Sequence, residues 1–126
     1  MTVDLYDLKT DAHVFRVNFW HWRAIVEAVR RLGVLSDDQI DGLHRQFSGQ
    51  LNMGEARAVA TAVRKSLLPD LMENERLLLD GSRTTAPDDP ILCKASDEQH
   101  RNYSTNRHVL EKFAECCEGC HGFRVL

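Results

Sequence analysis

The amino-acid sequence predicts an α+β fold in which about four helices pack on a small, mainly antiparallel sheet. Two observations carry this prediction. Apolar residues recur at helical spacing in several segments that begin with a capping residue, and shorter apolar or alternating runs lie between those segments. The chain has 126 residues, of which 43% are hydrophobic and 28% are charged, and this predicts a single globular domain over residues 1–126.

The first predicted elements are a strand and a long helix. Residues 13–17 alternate in a way that favours a short strand. Asn18 is a suitable N-cap for a helix that continues to about Leu32, and Gly33 is a suitable C-terminal stop. The apolar stripe of this helix consists of Phe19, Trp22, Ile25, Val26, Val29 and Leu32.

Two further helices are predicted in the next third of the chain. Ser36 and Gln39 have the spacing of a capping box, and Gly49 is the expected end of the helix that follows. Its stripe is Ile40, Leu43 and Phe47. The next helix is expected to begin near Asn52, and Pro69 ends it or opens a short turn. Its stripe is Ala56, Val59, Ala60, Val63 and Leu67.

The C-terminal half contains short extended segments and one last helix. Residues 76–81 are too few and too apolar for a surface helix, so they predict a buried strand closed by glycine. Residues 82–90 predict a loop and residues 91–93 a short strand. Ser104 is the expected cap of the last helix, and residues 123–126 are expected to be extended. The stripe of that helix is Val109, Leu110, Phe113, Cys116, Cys117 and Cys120.

Charge and hydropathy argue against two classes of partner. Lys and Arg number 16 against 19 Asp and Glu, so the formal net charge of −3 lacks the basic excess that is typical of nucleic-acid-binding domains. No apolar run approaches the roughly 18 residues that span a bilayer. The acidic first dozen residues are unlike a secretory signal. We therefore expect a cytoplasmic protein with neither a nucleic-acid nor a membrane partner.

The cysteines near the C-terminus form the most specific motif in the chain. Cys117, Cys120 and His121 match the attachment pattern of c-type haem, but attachment needs export, and no export signal is visible. The same residues are candidate zinc ligands, although the second ligand pair of a closed site is not recognisable. A redox-active Cys117–Cys120 dithiol is disfavoured, because the pair falls at a predicted helix C-terminus. We expect free thiols that fill the core, and no cofactor.

Both tryptophans lie in residues 19–23, FWHWR. Trp22 belongs to the apolar stripe, whereas Trp20 points about 160° away from it around the helix. Either a second layer packs against Trp20, or this residue belongs to a binding surface. Aromatic residues beside arginine are typical of binding hot spots. Trp20, His21 and Arg23 are therefore the candidate binding residues.

No catalytic set of residues is recognisable, since the chain lacks a nucleophile elbow, a zinc-protease motif and a phosphate-binding loop. We therefore predict a non-catalytic protein-binding module of the adaptor or toxin-neutralising (immunity) type. Its acidic segments at residues 37–41 and 70–80 are expected to face a basic partner. The alternatives are a zinc-binding protein that uses the C-terminal cysteines, and a small-molecule enzyme with an anion site at the start of the first long helix.

The strings VNFWHWR near the start, LLLDG in the middle, and NYS, FAECC and HGFRV towards the end resemble a family of small uncharacterised bacterial proteins. The resemblance covers roughly residues 15–126. It implies a stand-alone bacterial domain with no assigned activity. The cysteine cluster is not a fixed feature of that family, which argues against a role for these cysteines in haem or zinc binding.

Overall fold

The computed structural model describes residues 2–45, 49–86 and 103–126. Within these ranges, four α-helices and antiparallel sheets confirm the predicted α+β class. The helices are α1 (Phe19–Leu32), α2 (Asp37–His44), α3 (Met53–Ala62) and α4 (Arg107–Gly119). The strands are β1 (Thr2–Asp7), β2 (His13–Asn18), β3 (Gln50–Asn52), β4 (Arg76–Leu78), β5 (Arg83–Thr84), β6 (Ser104–Asn106) and β7 (Gly122–Val125). A π-helical turn (Val63–Leu67) and a 3₁₀ turn (Leu68–Asp70) follow α3.

The strands form two sheets, where the sequence predicts one. The larger sheet has the order β2-β1-β7-β3, and the smaller has the order β5-β4-β6. All neighbouring strands in the described ranges are antiparallel. The second sheet arises because β4 pairs with β5 on one side and with β6 on the other. Helix α1 contacts strands of both sheets, so the two sheets share this helix as a packing partner.

Strand β1 is absent from the sequence predictions, although it lies inside the larger sheet between β2 and β7. Val3 and Leu5 are fully buried, whereas Asp4 and Tyr6 between and after them are partly exposed. This period of two is the signal that identifies a half-buried strand. The acidic residues of this segment, by contrast, indicate only that it is unlike a signal peptide, and they do not identify a strand.

The predicted starts of the first three helices are confirmed by their caps. The side chain of Asn18 caps α1 by accepting a backbone N–H of the first turn, and Gly33 ends this helix with φ 74°. The next two helices begin with capping boxes, formed by Ser36 with Gln39 and by Asn52 with Glu55. Each box satisfies N–H groups that have no partner inside the helix.

The predicted start of α4 is wrong. Ser104 does not cap this helix, because it lies in β6 and pairs with Leu78 of β4. Asn106 is the cap instead, and its side chain accepts a hydrogen bond from the N–H of Val109 at 2.9 Å. Because these residues pair with β4, the helix begins two positions later than predicted. The sequence around Ser104 contains no sign of that pairing.

Two other predicted boundaries differ from the structure. Within the predicted loop at residues 82–90, Arg83 and Thr84 form the edge strand β5, while residues 87–90 lie outside the described residues, as does the predicted strand at 91–93. Helix α2 ends at His44. Its predicted stripe residue Phe47 also lies outside the described residues.

Three aromatic rings form the centre of the core. Trp22 of α1 packs edge-on against Phe113 of α4 with ring centroids 5.9 Å apart, and Phe113 packs against Phe123 of β7 at 6.4 Å. The indole N–H of Trp22 donates a hydrogen bond to the carbonyl oxygen of Leu43 at 2.9 Å. This bond satisfies the polar atom of a buried ring, so the cluster joins α1, α2, α4 and the larger sheet.

Gly122 allows the C-terminal strand to approach β3. Its φ is +88°, and a Cβ built at this position would lie 2.5 Å from the carbonyl oxygen of Leu51. A side chain here would therefore be strained by its own backbone and would also overlap the neighbouring strand.

We expect Gly122→Ala to lower the free energy of unfolding by roughly 3–5 kcal/mol, because backbone strain and overlap add together. Gly33→Ala is the matched control, since Gly33 has φ +74° but no atom within 4 Å of a built Cβ. Its expected cost is about 1 kcal/mol. Urea unfolding measures both, and equal losses would contradict the close approach of β7 to β3.

Candidate functional site

The predicted binding residues Trp20, His21 and Arg23 lie where α1 packs against β6. The ring centroid of Trp20 is 4.7 Å from that of Tyr103, which directly precedes β6. The guanidinium carbon of Arg23 is 5.0 Å from the centroid of the same Tyr103 ring. Nδ1 of His21 is 3.0 Å from the hydroxyl oxygen of Thr105, which is fully buried. The structure therefore brings all three predicted residues against β6 and the residue that directly precedes it.

Arg23 lies against two aromatic rings. Its guanidinium carbon is 5.6 Å from the Phe19 centroid as well as 5.0 Å from that of Tyr103. Both distances fall within the range in which a cation is attracted to the face of an aromatic ring. Its Nε is buried, with no hydrogen-bond partner among the described residues. Tyr103 thus packs against Trp20 and Arg23 and covers part of this face of α1. The role of the cluster in binding stays a prediction.

A double-mutant cycle tests whether Trp20 and Tyr103 stabilise each other. Trp20→Ala and Tyr103→Ala should each lower the free energy of unfolding, and the double variant should lose less than the sum of the two. We expect a coupling energy of about 0.5–1.5 kcal/mol, typical of an aromatic pair in contact. Chemical denaturation of the four proteins measures it. Strictly additive losses would show that the contact contributes nothing to stability.

The C-terminal cysteines lie at the end of α4, where the sequence places them. Cys117 is fully buried in the core, and burial raises the pKa of its thiol. Cys116 is half-buried and Cys120 is 2% exposed. The backbone N–H of Cys120 donates a hydrogen bond to the carbonyl oxygen of Cys116 at 3.0 Å. The three cysteines are free, and Cys117 fills the core as expected.

The pKa of Cys120 differs from the expectation for a thiol at a helix C-terminus, where the helix dipole disfavours the thiolate. The neighbouring thiol of Cys116, the backbone of Gly122 and the charge of Arg57 lower the pKa of Cys120 to about 6. The neighbouring Cys120 thiol, together with burial, raises the pKa of Cys116.

Arg57 of α3 caps the end of α4. Its Nη1 donates hydrogen bonds to the carbonyl oxygens of Cys117 at 2.6 Å and of Cys120 at 2.9 Å. The last carbonyls of a helix have no partner within the helix, and a cation beside them interacts favourably with the helix dipole. Sequence reasoning did not find Arg57, because 60 residues separate it from Cys117 and no local motif connects them.

Asp7, the last residue of β1, binds the turn that follows β1 and the connection between α4 and β7. This side chain is almost completely buried, and its Oδ1 accepts the backbone N–H groups of Lys9 at 2.8 Å and Thr10 at 3.0 Å. Its Oδ2 accepts the backbone N–H of His121 at 2.9 Å and lies 3.1 Å from Nδ1 of the same residue. Hydrogen bonds from backbone N–H groups hold the pKa of the Asp7 carboxyl well below its usual range, and the N–H of His121 has the largest effect, before that of Thr10.

This environment predicts an acid-sensitive contribution to stability. Because the pKa of Asp7 is lower in the folded than in the unfolded chain, where it is about 3.9, its contribution is present above that pH and is lost as the pH falls towards the folded value. Asp7→Asn should therefore lower the melting temperature at pH 7, and the difference from the unsubstituted protein should shrink below about pH 4. Thermal unfolding from pH 7 to pH 2 measures it, with Asp38→Asn on the exposed face of α2 as the control. A difference that is independent of pH would contradict this account.

The same contacts bear on the alternative metal site. The ring of His121 is paired with Asp7. In the part of the chain that the structure describes, no three side chains of His, Cys, Asp or Glu are grouped so that they could hold a metal ion. The alternative that Cys117, Cys120 and His121 bind zinc therefore gains no support from the geometry. Cys93, a further possible ligand, lies outside the described residues.

An open polar cleft lies beside the N-terminus of α4 and the turn that precedes β4. Its volume is about 460 Å³, and an adjoining cleft of about 520 Å³ contains Leu71 and Met72. The two clefts share Glu73, Asn74 and Arg107 in their walls. We call the two together the acidic cleft. The first of them is lined by Glu73, Asn74, Glu75, Arg76, Asn106, Arg107, His108 and Glu111.

The arginines of the acidic cleft have partners within the protein. Arg107 donates to the carbonyl oxygen of Leu71 at 2.8 Å and to the carboxylate of Glu111 at 3.0 Å. Arg76 donates to the hydroxyl of Ser104 at 2.9 Å. These bonds hold the turn before β4 against the start of α4, so the arginines shape the cleft.

The two predicted acidic segments differ in how their charge is balanced. In residues 37–41, Asp37 and Asp41 both bind Arg30, at 3.1 and 3.0 Å. By contrast, no ion pair among the described residues involves Asp70, Glu73 or Glu75. The second segment therefore carries the more available negative charge.

Comparisons of the chain with protein-family models, with curated proteins and with solved structures gave no match. The resemblance to small uncharacterised bacterial proteins accordingly stays a prediction. No helix in the described ranges combines the length and the apolar character that crossing a membrane requires.

Proposed function

We propose that this protein is a non-catalytic protein-binding module of the bacterial cytoplasm, and that it binds a basic segment of a partner protein along the acidic cleft. The observation that carries the proposal is an exposed apolar side chain in a segment whose acidic residues have no ion-pair partner among the described residues.

Met72 is that apolar side chain. It is 62% exposed, more than any other large hydrophobic residue in the described ranges. A methionine is flexible and polarisable, so it adapts to differently shaped apolar groups. Asp70, Glu73 and Glu75 lie within three positions of it along the chain. An apolar contact beside several negative charges favours a partner segment in which lysine or arginine flanks an apolar residue.

The turn that presents Met72 is held in place by the protein itself. Glu75 accepts the backbone N–H of Met72 at 2.9 Å, and Arg107 binds the carbonyl oxygen of Leu71. A binding surface that is ordered before the partner arrives loses less conformational entropy on binding. Glu73 has no such structural contact among the described residues, so its carboxylate is available to a cation of the partner.

Binding of a synthetic peptide tests the proposal. The probe is a short fluorescein-labelled peptide in which lysines and arginines flank one leucine, and the reference peptide carries glutamates in place of the basic residues. Fluorescence anisotropy should show binding of the basic peptide that weakens as salt is added. Glu73→Lys should weaken this binding by roughly fivefold, and Met72→Ala should weaken it by a similar factor.

Asp38→Lys is the matched control, because it reverses one exposed charge on α2, in the segment whose other acids bind Arg30. It should change the affinity little, and circular dichroism should show that all variants are folded. Equal binding of the basic and acidic peptides would overturn the proposal. So would an equal effect of Asp38→Lys and Glu73→Lys.

A further inference from the structure

Arg23 of α1 is fixed against two aromatic rings but has no acceptor for its N–H groups among the described residues. Its guanidinium carbon lies 5.6 Å from the Phe19 centroid and 5.0 Å from that of Tyr103. No hydrogen bond or ion pair joins this guanidinium to another described residue, and its Nε is buried. Arg30 and Arg31 on the same helix, by contrast, donate to carboxylates and to a carbonyl oxygen. Arg23 therefore carries a positive charge that is held in place and is not balanced within the described part of the chain.

The unused donors of Arg23 indicate a role in binding rather than in stability. A buried N–H without an acceptor costs free energy, so buried polar groups in folded proteins are nearly always hydrogen-bonded. An arginine that served only to hold α1 in place would be expected to reach a carboxylate or a carbonyl oxygen. The Nη groups are not buried in the way that Nε is, and they can still donate to a group from outside. The two rings also fix the guanidinium before a ligand arrives, which lowers the entropy lost on binding.

The charge of Arg23 matches that of a carboxylate. A guanidinium presents parallel N–H groups that fit the two oxygens of a carboxylate. Among the described residues, Arg23 is the only cation found over the Phe19 and Tyr103 rings. One positive charge balances the single charge of a carboxylate, whereas a phosphate monoester carries about −1.5 to −2 at neutral pH. A carboxylate is therefore the anion that this arginine fits.

The rings beside Arg23 indicate what the carboxylate is attached to. The centroids of Trp20 and Tyr103 are 4.7 Å apart, and the ring planes are tilted by 39°. Both residues are half-buried, so part of each ring is open to a ligand. Tryptophan and tyrosine provide large flat apolar surfaces on which another aromatic ring can pack. An aromatic group joined to the carboxylate would therefore pack on this pair while the carboxylate binds Arg23.

We propose that Arg23, Trp20 and Tyr103 form a binding site for a small aromatic carboxylate, which we call the Arg23 site. The Nη groups of Arg23 donate to the carboxylate, and the aromatic ring of the ligand packs on Trp20 and Tyr103. The contact of His21 Nδ1 with the buried hydroxyl of Thr105 at 3.0 Å keeps α1 against β6, and so holds the two halves of the site together. None of these residues lines the acidic cleft, so this site is independent of the proposed function.

Binding of phenylacetate to the full chain tests the proposal, followed through the indole N–H signals of the two tryptophans in ¹⁵N-labelled protein. The signal of Trp20 should shift. That of Trp22 should stay in place, because this ring is buried and its N–H is bound to the carbonyl oxygen of Leu43. Phenylacetamide lacks the charge and acetate lacks the ring, and each should bind roughly tenfold or more weakly than phenylacetate. Phenyl phosphate should also bind more weakly than phenylacetate.

Arg23→Met removes the charge and keeps an unbranched apolar side chain against the rings. It should weaken the binding of phenylacetate by roughly tenfold or more. Its melting temperature without ligand should not fall, because the buried donor that lacks an acceptor is gone. Arg16→Met is the matched control, since Arg16 is an exposed arginine on β2 that is bound to Asp4. This control should bind phenylacetate as the unsubstituted protein does.

The proposal is overturned if phenylacetate leaves the Trp20 signal unchanged, or if Arg23→Met binds phenylacetate as well as the unsubstituted protein. It is also overturned if the melting temperature of Arg23→Met falls as far as that of Tyr103→Ala, since Arg23 would then be a structural residue. Phenylacetamide or phenyl phosphate binding as tightly as phenylacetate would show that the site does not recognise a carboxylate.

Discussion

The pairing of the C-terminal strand β7 with β1 and β3 positions the aromatic core and the end of α4. Phe123 of β7 completes the aromatic centre of the core, in contact with Phe113 of α4. Gly122 brings the strand against β3 at a distance that no side chain would allow. Asp7, at the end of β1, binds the backbone of His121 immediately before the strand. Because β7 follows α4 after a short connection, this pairing also sets where the end of α4 and its cysteines lie.

The end of α4 shows how a tertiary contact changes the chemistry of a helix terminus. Taken alone, a helix C-terminus has unpaired carbonyl oxygens and a negative partial charge, which disfavour a thiolate. Arg57 reaches these carbonyls from α3 and donates hydrogen bonds to those of Cys117 and Cys120. The charge at this end of α4 is therefore balanced by a side chain from another helix.

The two acidic segments of the chain differ in the negative charge that they leave available to a partner. On α2, Arg30 from the neighbouring helix binds two aspartates and balances their charge. At the turn before β4 the arginines are instead directed to carbonyl oxygens, a hydroxyl and Glu111, so they stabilise the turn without covering its acids. The exposed methionine within the second group supports its assignment as the binding surface.

The sequence alone determined the helices and the class of the fold, because caps and apolar periodicity act within a few residues. Asn18, Gly33 and the two capping boxes identify helix ends through hydrogen bonds to atoms at most four positions away. The delayed start of α4, the second sheet and the partners of Trp20 all depend on strand pairing between distant segments, of which a local pattern contains no trace. The same holds for the candidate sites. The cysteines are neighbours in the sequence, but Arg57 reaches the carbonyls of Cys117 and Cys120, and Asp7 reaches His121, only after the chain has folded. The energy of those contacts depends on distance in space and not on separation along the chain.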